Sequence, residues 1–155
     1  MASLSPINAF SKVAQFAPAH DRTPKAWCLI GQCALQIAAV DPKYYATAST
    51  NFVKTLNSSA DVTWRSRAKV GLANVARKTG QPDVALSHYQ DVYYGKLRNP
   101  NEDIDSYWTW TAGLEAYRLN LELGRTEDAI KVYERLGEIF PARKSLLEKE
   151  LKALK

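Results

Sequence analysis

Apolar side chains recur every three or four positions along most of the chain, and short polar breaks separate the runs. In the stretch 65–94, one apolar stripe ends at Gly80-Gln81-Pro82 and a second, marked by Ala85, Tyr89 and Val92, follows it. This spacing predicts two amphipathic helices joined by a turn. A pair of short helices cannot bury its own apolar face, so we expect neighbouring copies of the pair.

The same alternation divides the rest of the chain and predicts an all-α protein of about seven to eight helices. The predicted units are a half repeat at 1–20, three helix pairs at 23–59, 61–99 and 105–141, and a capping helix at 142–155. The only long connection, 96–105, is polar and is predicted to be a loop between repeats. Together these units form a single domain.

Proline and N-cap residues mark the predicted helix starts. Ser5-Pro6, Thr23-Pro24 and Asp41-Pro42 each place a capping residue before proline, which the first turn tolerates because its N–H groups have no partner within the helix. Further N-caps are predicted at Asp61, Asp105 and Thr126.

One spacing links the two ends of the chain. The pattern of Phe10, Val13, Phe16 and Pro18 recurs at a constant offset of 123 residues in Tyr133, Leu136, Ile139 and Pro141. Both segments have the character of the second helix of a pair, stopped by proline. We therefore expect the chain to begin within a repeat and to be a fragment of a longer array.

The helix pairs also share a residue motif: a glycine at the turn, a small residue, an aromatic four positions later, and a proline eight positions after that. The copies are Gly124, Ala129, Tyr133 and Pro141; Gly80, Ala85 and Tyr89; and, more weakly, Ala48 and Phe52. This motif resembles the tetratricopeptide repeat in degenerate form. The resemblance implies a right-handed α-solenoid of antiparallel helix pairs, in which the alanines permit close helix contact and the aromatics fill the gap to the next pair.

The resemblance further implies that the first helix of each pair lines a concave groove and presents its polar face to a partner. The candidate groove residues are Lys25, Gln32 and Gln36 on the first such helix, Arg67, Asn74, Arg77 and Lys78 on the second, and Thr111, Glu115, Arg118 and Glu122 on the third. Within each set, spacings of three, four or seven positions give one helix face. An ordinary solvated face would show the same pattern, so that alternative stays open.

The chemistry of the groove residues suggests the kind of partner. Family members that hold a terminal carboxylate use basic and asparagine side chains along this face, and Arg67 and Asn74 resemble part of that arrangement. Val70 and Glu115 depart from it, so we do not expect that activity. A groove that is basic in the middle and acidic toward the C-terminal end suggests a polar or acidic peptide bound in one orientation.

Composition is ordinary for a globular protein, but charge is unevenly distributed. The 155 residues are 46% hydrophobic and 24% charged, with a net charge of +5. Residues 1–100 hold 12 Lys and Arg against 5 Asp, whereas residues 101–155 hold 9 against 11 acids. Five basic residues lie within 61–79, so that helix is predicted to be electropositive, and nucleic-acid binding through it is an alternative function.

No set of residues predicts catalysis, a cofactor or a metal site. His20 and His88 are 68 positions apart, Cys28 and Cys33 would point apart on one helix, and no glycine-rich phosphate loop is present. The aromatic residues Tyr93, Tyr94, Trp108 and Trp110 are expected to pack in the core, with the two tryptophans on opposite sides of their helix. The alternative that these aromatics stack on bases or grip a peptide stays open. We therefore expect a protein that is not an enzyme.

The leading hypothesis is a scaffold module that binds a peptide or partner protein in the groove. Besides nucleic-acid binding, self-association through an exposed repeat face near Ile7 and Phe10 is a further alternative. No run of 18 apolar residues and no secretory signal is present. The compartment stays open, because a cytoplasmic protein and a longer periplasmic parent both fit the chain.

Overall fold

The computed structural model describes residues 4–16 and 22–154, and within these ranges the chain is entirely helical, without a β-strand. The α-helices are α1 (Leu4–Phe16), α2 (Thr23–Ala38), α3 (Tyr44–Leu56), α4 (Val62–Lys78), α5 (Pro82–Tyr93), α6 (Ser106–Glu122), α7 (Thr126–Ile139) and α8 (Lys144–Lys152), with a 3₁₀ helix at Pro141–Arg143. The predicted all-α class and number of helices are confirmed.

Each helix packs against the helix that follows it, from α1 to α8. Contacts that skip one helix join α2 to α4 and α4 to α6, so these three helices form a row. The core is correspondingly divided into three clusters along the chain, which include Phe52, Tyr89 and Leu136 respectively. The packing is therefore sequential, as expected when each helical unit contacts mainly its neighbours.

The alanine and aromatic positions of the predicted motif are buried in every copy. They comprise Ala48 and Phe52, Ala85 and Tyr89, and Ala129 and Tyr133. The Tyr133 ring also stacks on the ring of Tyr117, with centroids 3.7 Å apart. All six are therefore core residues, as the motif predicts.

The ring of Phe52 lies where α3 meets both α2 and α4. A Cβ atom built at Gly31 of α2 would lie 2.7 Å from this ring, and one built at Gly71 of α4 would lie 2.4 Å from it. Both distances are far below van der Waals contact, so only glycine leaves room for the ring. Phe52 itself is fully buried and holds the three helices together.

The helices α4 and α6 end with the same turn. Gly80 and Gly124 have φ angles of 75° and 72°, in the left-handed region that glycine adopts without strain. In both turns the next residue donates its N–H to the carbonyl oxygen five residues earlier, over 2.8 Å. Two helix pairs therefore share one local geometry.

Two of the predicted N-caps are confirmed and one is wrong. The carboxylates of Asp61 and Asp105 accept hydrogen bonds from the backbone N–H groups of Trp64 (3.1 Å) and Trp108 (2.8 Å). Thr126 is instead the first residue of α7. The turn at Gly124 leaves only Arg125 between that glycine and α7, so the helix starts before Thr126 can cap it.

The three predicted openings with proline are displaced by one or two residues. The helix α1 begins at Leu4, which puts Ser5 inside it, and α2 begins at Thr23 itself. The helix α3 begins only at Tyr44, because Asp41 accepts the backbone N–H of Lys43 (3.4 Å) in a local turn ahead of the helix. Of the predicted half repeat 1–20, residues 1–3 and 17–20 lie outside the described residues.

The predicted loop 96–105 is confirmed and is tied to the start of α4. Arg65 donates to the carbonyl oxygen of Leu97 (3.0 Å) and forms an ion pair with Glu102, while Thr63 donates to Asp105 over 2.8 Å. The loop therefore packs on the preceding helix pair through specific polar contacts.

We expect Gly71→Ala to lower the free energy of unfolding by about 1 kcal/mol net, because the cost of overlap with Phe52 exceeds the gain in helix propensity. Gly137→Ala is the matched control, since its Cβ would only touch the Lys144 side chain at 3.4 Å. This second change should be neutral or stabilising by up to about 1 kcal/mol. Denaturant unfolding followed by circular dichroism measures both, and equal stability of the two variants would contradict the packing at Phe52.

Candidate functional site

Two adjoining cavities lie along the row formed by α2, α4 and α6. The smaller, of about 310 Å³, lies between α2 and α4, and the larger, of about 1050 Å³, extends to α6. Both are lined by Leu35, Val70, Asn74 and Trp108. They are therefore one continuous depression, which we call the groove.

All but two of the eleven groove residues predicted from the sequence line this depression. Gln32, Gln36, Arg67 and Asn74 surround the smaller cavity, while Arg77, Lys78, Thr111, Glu115 and Glu122 surround the larger one. Lys25 and Arg118 line neither cavity. Lys25 is exposed near Trp64, with its Nζ atom 6.0 Å from the ring centroid, and Arg118 forms an ion pair with Glu115 at 2.8 Å.

The apolar floor of the groove was not predicted. It includes Leu35, Val70 and Trp108, of which Trp108 was expected mainly in the core. Trp108 is half-buried: it packs against the core cluster around Tyr89 and also lines both cavities. Each floor residue lies three positions from a predicted polar groove residue, and this spacing is the signal that locates it.

Arg67 is a cation held between aromatic rings at the smaller cavity. Its guanidinium carbon lies 4.9 Å from the ring centroid of Trp64 and 5.7 Å from that of Trp108. Its Nη2 donates to the side-chain oxygen of Gln32, whereas Nε is buried without a hydrogen-bond partner in the described structure. No carboxylate of the described residues pairs with Arg67, so its charge is available in the groove.

Arg77 is instead compensated within the groove. It forms ion pairs with Glu115 (2.8 Å) and Glu122 (2.5 Å), and so connects α4 to α6. The nearby amide of Asn74 is oriented by a hydrogen bond that it accepts from the hydroxyl of Tyr89 (2.5 Å). Burial raises the pKa of Tyr89 to about 12. An ordinary tyrosine is already protonated at neutral pH, so the hydroxyl is a donor with or without this shift.

The positive charge that the sequence places on α4 is largely neutralised by neighbouring elements. Arg65 pairs with Glu102, Lys69 pairs with Asp91 at 3.0 Å, and Arg77 pairs as above. Of the five basic residues in 61–79, only Arg67 and Lys78 lack a carboxylate partner in the described ranges, and both line the groove. The free charge of α4 is thus concentrated there.

The two cysteines, considered above as candidate reactive residues, do not line the groove. Cys28 and Cys33 are both free, as expected, and burial raises the pKa of the Cys28 thiol to about 12. Within residues 4–16 and 22–154, no three His, Cys, Asp or Glu side chains are grouped as metal ligands would be, and no helix has the length and apolar character needed to cross a membrane.

The two tryptophans of α6 lie in different environments, and so do the neighbouring tyrosines at the end of α5. Trp110 packs edge-on against Phe140, with centroids 5.4 Å apart, and so faces a different cluster from Trp108. Tyr93 is buried as expected, but Tyr94 is 45% exposed. The expectation that both tyrosines are core residues is therefore wrong for Tyr94, because consecutive positions at a helix end point in different directions.

Comparison with models of protein families, with curated proteins and with solved structures gives no match for this chain. The resemblance to the tetratricopeptide repeat is accordingly carried by the residue pattern alone. Function has to be proposed from the geometry of the groove.

The ion pairs around α4 predict a loss of stability in acid. Burial acts to raise the pKa of Asp91, but hydrogen bonds from Lys69 and Lys96 outweigh it and lower the pKa. A carboxylate whose pKa is depressed by folding stabilises the protein above its unfolded pKa of about 4, and this contribution disappears as the pH falls through the folded pKa. We expect the melting temperature to fall as the pH drops from about 5 to about 3.

Asp91→Asn should lower the melting temperature at neutral pH and make the acid decline shallower, since it removes one of the groups responsible. Glu134→Gln is the control, because Glu134 is exposed and forms no ion pair in the described structure. Melting curves at a series of pH values measure both variants. An acid decline that is identical in Asp91→Asn and in the unaltered protein would contradict this role of Asp91.

Proposed function

We propose that this protein is a non-enzymatic binding module of the tetratricopeptide type, a right-handed α-solenoid of antiparallel helix pairs whose groove holds a segment of a partner protein. The observation that carries the proposal is the groove itself. Nine of the eleven polar residues that the sequence places on these helix faces surround one depression, and its floor is apolar. Concave sites that combine an apolar surface with a few polar groups are the usual form of a binding site.

The lining of the groove suits an extended peptide. Leu35, Val70 and Trp108 offer apolar surface for side chains of the partner. The amides of Gln32, Gln36 and Asn74 can both donate and accept hydrogen bonds, which is what a peptide backbone requires. Burial of the partner's apolar side chains on the groove floor would then supply the affinity, and hydrogen bonds from the amides would fix the position of the peptide backbone.

Charge favours an acidic partner and one orientation. The nine predicted residues that line the groove comprise three cations and two carboxylates. At the larger cavity, Arg77 is compensated by Glu115 and Glu122, whereas Arg67 at the smaller cavity has no carboxylate partner in the described structure. An acidic side chain of the partner would therefore lie near Arg67, where it gains a charge-assisted hydrogen bond.

Nucleic-acid binding is the less favoured alternative. A single-strand site needs a continuous basic track with stacking aromatics. Three of the five basic side chains of 61–79 already form ion pairs, which leaves too little free charge for such a track. Self-association has no comparable support in the described helices.

Peptides selected from a random display library against this protein should bind in the groove. The double variant Gln36→Glu/Lys78→Glu places negative charge at two exposed groove positions that make no ion pair in the described structure. It should weaken binding of the selected peptides by about tenfold, which corresponds to about 1.4 kcal/mol. Isothermal titration calorimetry measures the change.

The matched control is Lys54→Glu/Gln90→Glu, which makes the same two replacements at exposed positions of α3 and α5, outside the groove. Its net charge is identical to that of the groove variant, so a general electrostatic effect would weaken both equally. Equal weakening in both variants, or unchanged binding by the groove variant, would show that the selected peptides do not bind in the groove.

A further inference from the structure

A separate cavity of about 370 Å³ lies where the end of α5, the loop 96–105, the start of α6 and the end of α7 meet. Buried and half-buried apolar side chains of Tyr93, Ile104 and Ile139 contribute to its lining. The polar residues that line it are Tyr94, Arg98, Asp103, Ser106 and Arg135. None of these residues lines the groove, so this cavity is a distinct feature of the molecule.

Arg135 contributes unused hydrogen-bond donors to this cavity. Its Nη1 donates to Glu138 over 2.8 Å, and its guanidinium carbon lies 5.0 Å from the ring centroid of Tyr94. Its Nε is buried without a hydrogen-bond partner in the described structure. The edge formed by Nε and Nη2 is the one that holds an oxyanion through two parallel hydrogen bonds.

Arg98 brings a second guanidinium from the loop. Its Nε makes only a long hydrogen bond, 3.4 Å, to the carbonyl oxygen of Gly95, and no carboxylate of the described residues pairs with it. Gly95 has a φ angle of 68°, and a Cβ there would lie 3.1 Å from the Nε of Arg98. The turn at this glycine therefore lets the loop bring Arg98 to the cavity.

The remaining polar groups add donors and only one acidic acceptor. Ser106 is the first residue of α6, a helix of 17 residues whose N-terminus carries a partial positive charge. The single carboxylate that lines the cavity is Asp103. Two guanidinium groups thus line the cavity together with one carboxylate, while Glu138 pairs with Arg135 and Asp105 caps the start of α6.

We propose that this cavity binds an oxyanion, either a phosphate group or a carboxylate, through Arg98 and Arg135. Both ligands have oxygen atoms that accept in parallel from a guanidinium. Phosphate carries more negative charge than a single carboxylate and is the preferred ligand. Asp103 opposes the bound anion and limits its affinity.

The test is a titration of the full chain with inorganic phosphate, and separately with acetate, at constant ionic strength, followed by amide chemical shifts in nuclear magnetic resonance spectra. Phosphate at up to tens of millimolar should give saturable shifts at Tyr94 and Ser106, and acetate should bind more weakly. Arg98→Gln and Arg135→Gln should each weaken phosphate binding by about tenfold. Lys149→Gln, on the exposed surface of α8, is the control with the same change of charge.

Asp103→Asn separates a binding site from a structural cluster, because it should strengthen phosphate binding several-fold by removing the opposing charge. A purely structural role of the arginines predicts altered stability but no such gain. Saturable shifts that the arginine variants weaken and Asp103→Asn strengthens would establish the site. Absence of saturation, or equal shifts in the arginine variants and the Lys149→Gln control, would overturn the proposal, whatever the outcome for the groove.

Discussion

The fully buried ring of Phe52 determines how three successive helices meet. It reaches from α3 to Gly31 of α2 and Gly71 of α4, and the absence of side chains at both glycines lets the helices approach. A second apolar side chain, Leu136 of α7, packs in the same way on Gly113 of α6, where a Cβ would lie 2.5 Å from it. The Phe52 contacts therefore also set the distance between α2 and α4, and with it the width of the smaller cavity.

The polar contacts divide the surface of this helical framework into compensated and uncompensated regions. Ion pairs bind Arg65 to the loop, Lys69 to α5 and Arg77 to α6, so these cations join elements rather than attract a ligand. Arg67 in the groove and Arg98 in the loop 96–105 have no carboxylate partner in the described ranges, so their charge is not compensated in this way. Pairs of this kind contribute modestly to stability, so their larger effect is on where free charge remains.

The helical framework could be predicted from the sequence because it depends on local periodicity. The spacing of Ala85 and Tyr89 locates the buried face of α5, and the spacing of Asn74 and Arg77 locates the groove face of α4. The partners of Arg77, by contrast, are 38 and 45 residues away in Glu115 and Glu122, and no local pattern encodes that meeting. Helix starts near Pro42 and Thr126 were misplaced for a related reason: turns of adjacent segments determine where a helix begins.

The site was predictable to the extent that it lies on helix faces. The polar lining of the groove follows from those faces, whereas the double role of Trp108, in the core and in the groove, depends on how α6 sits against α4. The cavity near Tyr94 combines three helices and a loop, and only the folded chain brings Arg98 and Arg135 together.

The central claim is that the groove along α2, α4 and α6 receives the partner. Amide chemical shifts recorded with and without a library-selected peptide test this most directly, because they report position independently of any substitution. The account predicts that the largest shifts occur at Gln36, Asn74 and Thr111. Largest shifts on α3, α5 or α7, with the groove unchanged, would contradict it.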